Sequence, residues 1–207
     1  IPNPDILISS IPLLEAASSS EIENIFTTQD SLYRVLATNT ETANPAEKEV
    51  LNYRKALYTG YAALKEQHSI NEELLETICS TILETDMSRR DVTVYIGNRM
   101  TRVYTPPNDP YVLQALMAQL EEYINNGTEP DPLIRLALIH YQFEAIHPFT
   151  DGNGRTGRIL NILYLVANNL LDIPVLYLSR YIIQNKTEYY KLLREATAEK
   201  KFEEWIC

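Results

Sequence analysis

His147-Pro148-Phe149-Thr150-Asp151-Gly152-Asn153-Gly154-Arg155-Thr156-Gly157-Arg158 stands between two apolar stretches, Leu133 to Ile146 and Ile159 to Leu171. Each stretch has the length and spacing of a core helix, so the window reads as a loop held rigidly at both ends. Gly152 and Gly154 lack a β-carbon, which lets the chain around Asn153 turn sharply and aim several backbone N–H groups at one point. With a helix running on from Ile159, that nest sits at a helix N-terminus, where free N–H groups and the macrodipole favour an anion. Arg155 and Arg158 are three apart, hence neighbours on one helical face, and each carries a planar donor fork matched to phosphate oxygens. Asp151 is suited to share a divalent cation with those phosphates, because magnesium prefers one or two carboxylates plus phosphate oxygens. His147 titrates near neutrality and is placed to take a proton from an incoming hydroxyl. Each element alone has a plainer reading, as a common turn, a solvating arginine pair or a structural His-Pro. Their concentration in one short window points instead to a polyphosphate, its metal and a general base.

The window resembles, position for position, the His-x-Phe-x-(Asp/Glu)-Gly-Asn-Gly-Arg-x-x-Arg signature of Fic-domain proteins, which mostly move AMP from ATP onto a hydroxyl side chain of a target protein. The resemblance implies an all-α domain of the Fic type with a small β-hairpin flap. It implies that His147 activates a Ser, Thr or Tyr hydroxyl for attack on the α-phosphorus and that Asp151 is the Mg2+ ligand. Gly152, Asn153 and Gly154 would form the anion hole, Arg155 and Arg158 would hold the β- and γ-phosphates, and Phe149 would be an inward-facing anchor. In the family, aromatic residues downstream approach the adenine ring. That makes Tyr190 a candidate for nucleotide binding, with a core tyrosine as the alternative. The physical logic agrees, since such transfers are catalysed mainly by positioning and charge stabilisation. Related proteins with similar loops transfer phosphate, UMP or phosphocholine, or remove AMP. A different class of reading is a catalytically silent binding domain.

Far upstream, Ser18-Ser19-Ser20-Glu21-Ile22-Glu23-Asn24 places Glu23-Asn24 after Ser19 and three further residues. This is similar to the (Ser/Thr)-x-x-x-Glu-(Gly/Asn) inhibitory motif of the same family, whose glutamate reaches the second arginine of the loop, here Arg158. A carboxylate in that guanidinium fork would displace a γ-phosphate and add negative charge beside an anionic ligand. The competing reading is a helix start, because Ser18 with Glu21 and Ser20 with Glu23 each fit a capping box. Beside the loop motif, the inhibitory reading is preferred.

Asp91 to Tyr104 reads as two short β-rich runs around Gly97-Asn98-Arg99, a hairpin pattern closed by Tyr104-Thr105-Pro106-Pro107. In the family such a hairpin is a flap whose edge aligns the target segment. Val94, Tyr95, Ile96 and Gly97 are the docking candidates on that reading.

The rest of the chain reads as helical. Helices are expected over Pro45 to Leu64, Asn71 to Leu83, Val112 to Glu121, Leu178 to Ile183 and Thr187 to Thr197, with Asn125 to Pro132 as a loop. Residues 1–44 form an N-terminal segment carrying the inhibitory helix, and 45–207 a single compact catalytic core. His140 shares a helical face with His147 but has no further ligands for a zinc pattern, and Cys79 and Cys207 make no disulfide framework. A chain of 207 residues that is 45% hydrophobic can bury a substantial core. Its formal net charge of −10 argues against a general nucleic-acid or anionic-membrane binder, and requires the nucleotide site to be a local positive island. No signal peptide or transmembrane run is expected, and a cytoplasmic setting fits two unpaired cysteines. Both ends read as those of a fragment, of a kind to which related proteins add a C-terminal winged-helix domain. ATP and a hydroxyl-bearing target protein, including the chain itself, are the expected partners, and an oligomer is compatible with the sequence.

Overall fold

The structure is a computed structural model and describes residues 4–38, 42–97 and 102–207. It is all-α with one small hairpin: α1 (Pro4–Ile22), α2 (Gln29–Thr38), α3 (Pro45–Gln67), α4 (Glu72–Leu83), β1 (Ile96–Gly97), β2 (Arg102–Tyr104), α5 (Pro110–Asn126), α6 (Pro132–Ile146), α7 (Asn153–Ala167), α8 (Ser179–Gln184), α9 (Lys186–Glu199) and α10 (Phe202–Ile206).

Three helix starts share one device. Asn44, Asp109 and Asp131 each turn a side-chain oxygen onto backbone N–H groups of the first turn, and each precedes a proline, whose missing N–H costs nothing there. At α3 the cap is reciprocal: Glu47 N donates to Asn44 Oδ1 at 2.9 Å, and Asn44 N to Glu47 Oε2 at 2.8 Å. Inside α1, Pro12 cannot donate to the Ile8 carbonyl, and Tyr58 Oη supplies that bond from α3 at 3.1 Å.

α7 forms the centre of the molecule. From Ile159 to Val166 every residue is buried, as expected of a helix that is apolar on all sides and wrapped by its neighbours. It packs against α6, α4, α3 and α1, and Leu13 and Ala16 of α1 join the same hydrophobic cluster as Leu160 and Leu163.

Two differences from the sequence reading bear on the site. α7 begins at Asn153 rather than Ile159, so Gly154, Arg155 and Arg158 lie within its first turns and Gly-Asn-Gly is the helix start rather than a loop before it. The Ser18–Asn24 segment does not begin a helix through a capping box. It ends one: α1 stops at Ile22, Asn24 adopts φ 64°, and Ile25 N and Asn24 N return to the Ser20 and Glu21 carbonyls at 3.0 Å each. That pattern is a Schellman turn, with asparagine in the left-handed position usually held by glycine.

The hairpin is antiparallel, pairing Ile96 with Tyr104 and Gly97 with Arg102, with a bulge between. Of the expected turn only Gly97 is described; Asn98, Arg99 and the residues through 101 lie outside the described residues. Val94 and Tyr95 precede β1 rather than belonging to it. Among the described residues no helix is long and apolar enough to cross a membrane.

Candidate active site

His147 ends α6 in the left-handed conformation, φ 52°, its N–H bonded to the Phe143 carbonyl at 2.9 Å. A helix C-terminus leaves carbonyls without partners, and here one buried cation collects them. Arg90 Nε donates to the His147 carbonyl at 2.8 Å, and its Nη2 to Ile146 O at 3.3 Å and Pro107 O at 2.6 Å. Its Nη1 reaches Val92 O at 3.0 Å. One side chain thus fixes both the backbone of His147 and the two stems of the hairpin. Tyr104 adds a second tie, donating to Ala145 O at 2.8 Å.

The segment after His147 is braced by Asn153. Its Oδ1 accepts from Phe149 N and its Nδ2 donates to Phe149 O, both at 2.9 Å, while Phe149 is fully buried. The Asn153 side chain therefore shapes the turn, and only its backbone N–H remains for an anion. Gly152 at φ 78° makes the turn into α7, where a β-carbon would also meet Cys79 Sγ at 2.9 Å. No side chain caps α7, so its first N–H groups point out of the helix start unclaimed by a cap.

The two arginines diverge. Arg158, 1% exposed, turns to the end of α1: Nε donates to Ser19 Oγ at 2.7 Å, and Nη2 to Ser19 O at 3.0 Å and Glu23 Oε1 at 2.7 Å. Burial opposes its charge, but Glu23, with Tyr189 and Tyr53 adding to it, outweighs burial and holds the guanidinium's pKa above its usual value. Arg155 was expected beside it on the phosphates and instead points to α3, ion-paired with Glu49 and 3.6 Å from Asp151 Oδ1. Asp151 itself is exposed, with Oδ1 accepting from Gly152 N at 2.6 Å.

A cavity of about 790 Å3 opens at this junction, lined by His147, Gly154, Arg158, Glu23, Ile96 and Tyr190 among others. Glu23 lies over the start of α7 so closely that a β-carbon on Gly154 would stand 2.5 Å from its Oε1. Tyr190 is 45% exposed in this space, and its neighbour Tyr189, half-buried, lines it too and is hydrogen-bonded to His140 Nε2 at 2.8 Å. Behind that wall Trp205 stacks on His140, ring centroids 5.9 Å apart, and donates to Ala137 O at 2.7 Å. Of the hairpin candidates, Ile96 and Gly97 line the cavity, while Tyr95 is exposed under the Arg102 guanidinium, 3.5 Å from its ring centroid.

Burial lowers the His147 pKa to about 4, with the Glu144 backbone pulling the other way and Arg90 reinforcing the fall. The imidazole is therefore neutral, and able to accept a proton, throughout the physiological range. Glu144, three residues earlier and on the same face of α6, also lines the cavity; burial, opposed by Arg158 and reinforced by Glu23, raises its pKa to about 7. Sequence reasoning missed Glu144, although its i, i+3 spacing to His147 was a usable signal. Arg90 left no local signal at all.

One cavity of this helical domain thus brings together a histidine, a helix start without a side-chain cap and a buried arginine. The chain is a member of the Fic/DOC family: residues 61–165 match that family and residues 1–62 its N-terminal region. It is similar to the probable protein adenylyltransferase aq_aa38 of Aquifex aeolicus, 29% identical over 191 residues that cover 88% of this chain and 54% of that protein. It is 33% identical over 109 residues to protein adenylyltransferase fic-1 of Caenorhabditis elegans, covering 52% of this chain and 19% of that one. The chain thus spans about half of the Aquifex relative and about a fifth of the nematode one. Among solved structures, a Fic family protein from Desulfovibrio desulfuricans G20 superposes with a TM-score of 0.78 at 25% identity, over 99% of this chain and 62% of that one. A Fic domain containing signaling protein from Bacteroides thetaiotaomicron shares the fold, with a TM-score of 0.73 at 21% identity over 93% of this chain and 74% of that one.

Proposed function

We propose that this domain transfers AMP from ATP to a hydroxyl side chain of a protein, and that Glu23 restrains the transfer. The observation carrying the reading is the single cavity in which His147, the start of α7, Arg158 and Glu23 meet. The names of the Aquifex and nematode relatives, protein adenylyltransferases, support the reaction class.

In the reaction, the target's hydroxyl oxygen forms a bond to the α-phosphorus as the bond from that phosphorus to the pyrophosphate oxygen breaks. The hydroxyl proton passes to the neutral imidazole of His147, and pyrophosphate leaves with its electron pair. The N–H groups of Asn153 and Gly154 face the developing charge from the positive end of α7. Arg158 is the donor for the terminal phosphates, and the Glu144 carboxyl stands beside it. The edge of β1 at Ile96 and Gly97 offers backbone groups to an extended target segment.

Asp151 fits Mg2+. Its carboxylate is exposed at the mouth of the turn, oriented by Gly152 N at 2.6 Å, and a single such ligand completed by phosphate oxygens suits this ion. When bound, Mg2+ would neutralise phosphate charge. Arg155 stands 3.6 Å from Asp151 Oδ1 and does not line the cavity.

With Glu23 seated, the Arg158 fork is occupied and a carboxylate lies over Gly154, so a triphosphate cannot settle in line. The test is incorporation of label from α-phosphate-labelled ATP with Mg2+ in a host lysate. Glu23→Gly raises incorporation over the parent chain by tenfold or more, and adding His147→Ala abolishes it. Equal labelling of Glu23→Gly and parent would remove the restraint from this account. Turnover by no variant with any nucleotide donor, despite binding, would favour a silent binding domain.

A further inference from the structure

An α-helix end leaves its last four carbonyls without partners inside the helix. At the end of α1 all four are taken. Ser19 O accepts from Arg158 Nη2 at 3.0 Å, Ser20 O from Glu23 N and Ile25 N, and Glu21 O from Asn24 N, each of these at 3.0 Å. The last, Ile22 O, accepts from Lys186 Nζ at 2.6 Å, from the first residue of α9. The same ammonium donates to Asn24 Oδ1 at 3.3 Å. The residue before Glu23 and the residue after it are therefore held by one side chain. α1 has no basic residue in its own last turn, so Lys186 and Arg158 supply from elsewhere the cations that its macrodipole favours.

We propose that Lys186 is a positioning residue for the inhibitory turn: by gripping Ile22 and Asn24 it fixes the arc on which Glu23 stands, and so sets how often Arg158 is occupied. The inference rests on the reading of Glu23 as a restraint. The body of α1 is anchored independently, through buried Glu15, whose carboxylate accepts from Ser179 N at 2.8 Å and Ser179 Oγ at 2.6 Å. Loss of the Lys186 contact would thus free the last turn without detaching the helix. Lys186 does not line the cavity, whereas Tyr189 and Tyr190 of the same helix do. A change at Lys186 therefore removes no side chain from the cavity lining, and a shift of the α9 wall is transmitted to Glu23 through it.

The experiment compares Lys186→Met, which keeps the aliphatic stem but not the charge or donors, with Lys186→Arg, which keeps both. Two readouts are taken, amide hydrogen exchange and labelled-ATP transfer. Exchange at Asn24 and Ile25 is expected to quicken on the order of tenfold in Lys186→Met, as befits loss of a charge-assisted bond, with protection of α7 unchanged. Lys186→Arg stays close to the parent. Transfer rises in Lys186→Met, but Glu23→Gly with Lys186→Met gains nothing over Glu23→Gly alone, because both act through the same contact. Unchanged exchange in Lys186→Met overturns the inference, and so does an equal gain with and without Glu23. Faster exchange together with a Glu23→Gly variant no more active than the parent upholds the grip and instead overturns the reading of Glu23 as a restraint.

Discussion

Burial moves two titrating groups of the cavity in opposite directions, and the signs have consequences for pH. The His147 pKa falls from 6.5 to about 4, so the stability it contributes is present above 6.5 and is lost as pH falls through 4. The Glu144 pKa rises from 4.5 to about 7, so its contribution is full below 4.5 and is lost as pH rises through 7. Replacing Glu144 by glutamine should flatten the decline of the melting temperature between pH 4.5 and about 7, as followed by circular dichroism. Because Glu23 is one of the causes holding Glu144 up, Glu23→Gly should lower the Glu144 pKa; carboxyl carbon NMR titration gives the answer, and a rise would contradict the charge arrangement described. Spacing in the sequence points to His147 and Arg158, which the structure brings to one cavity, and to Asp151, which stands exposed. It could not disclose that Arg155 faces Glu49, because two residues three apart on a helix can take partners on different neighbours.

Among the elements, α1 shows how a helix can be fixed along its body and adjustable at its tip. Glu15 is fully buried, shares its carboxylate between Ser179 and Tyr53, and is held protonation-prone by that burial. Glu15→Ala strands the Ser179 N–H and hydroxyl, a loss of about 2 kcal/mol. A melting temperature roughly 4–8 °C lower is expected for a chain of this size, measurable by thermal denaturation. The helix starts at Pro45, Pro110 and Pro132 fall within two residues of the expected Pro45, Val112 and Leu133, and the device that fixes each is local, an Asx followed by proline. The start of α7 was not legible, since glycine and asparagine resist helix interiors and only Phe149, holding the Asn153 side chain, commits them. The end of α1 was ambiguous for a related reason. Ser-x-x-Glu suits a helix start as well as this helix end, and Arg158 and Lys186, distant in sequence, decide between them.

Across the whole molecule, α1 and α7 share one apolar cluster, with Leu13 and Ala16 packed among residues of α3, α4 and α7. The N-terminal segment is then part of the same core, and its removal would open that core. A single cooperative transition is expected by calorimetry for the full chain, while a chain lacking residues 1–24 should melt broadly or fail to fold; a sharp, undiminished transition in the shortened chain would show the segment to be peripheral. The fold class was legible from helical spacing and the twelve-residue window. That the first helix is a wall of the core was not, because its contacts lie with α8 and α3 rather than with its neighbours in sequence.

The stack behind Tyr190 gives the protein an optical property of its own. Trp205 is the chain's one tryptophan, and its indole lies against His140, whose pKa burial lowers to about 3, and 5.7 Å from Tyr189, which in turn abuts Tyr190 at 5.1 Å. A neutral imidazole does not quench indole emission as an imidazolium would, so His140 adds no pH-dependent quenching at neutral pH. Any ligand that moves the tyrosine pair therefore alters the colour or intensity of a single, unambiguous emitter, and occupancy of the cavity can be followed in real time with no dye attached.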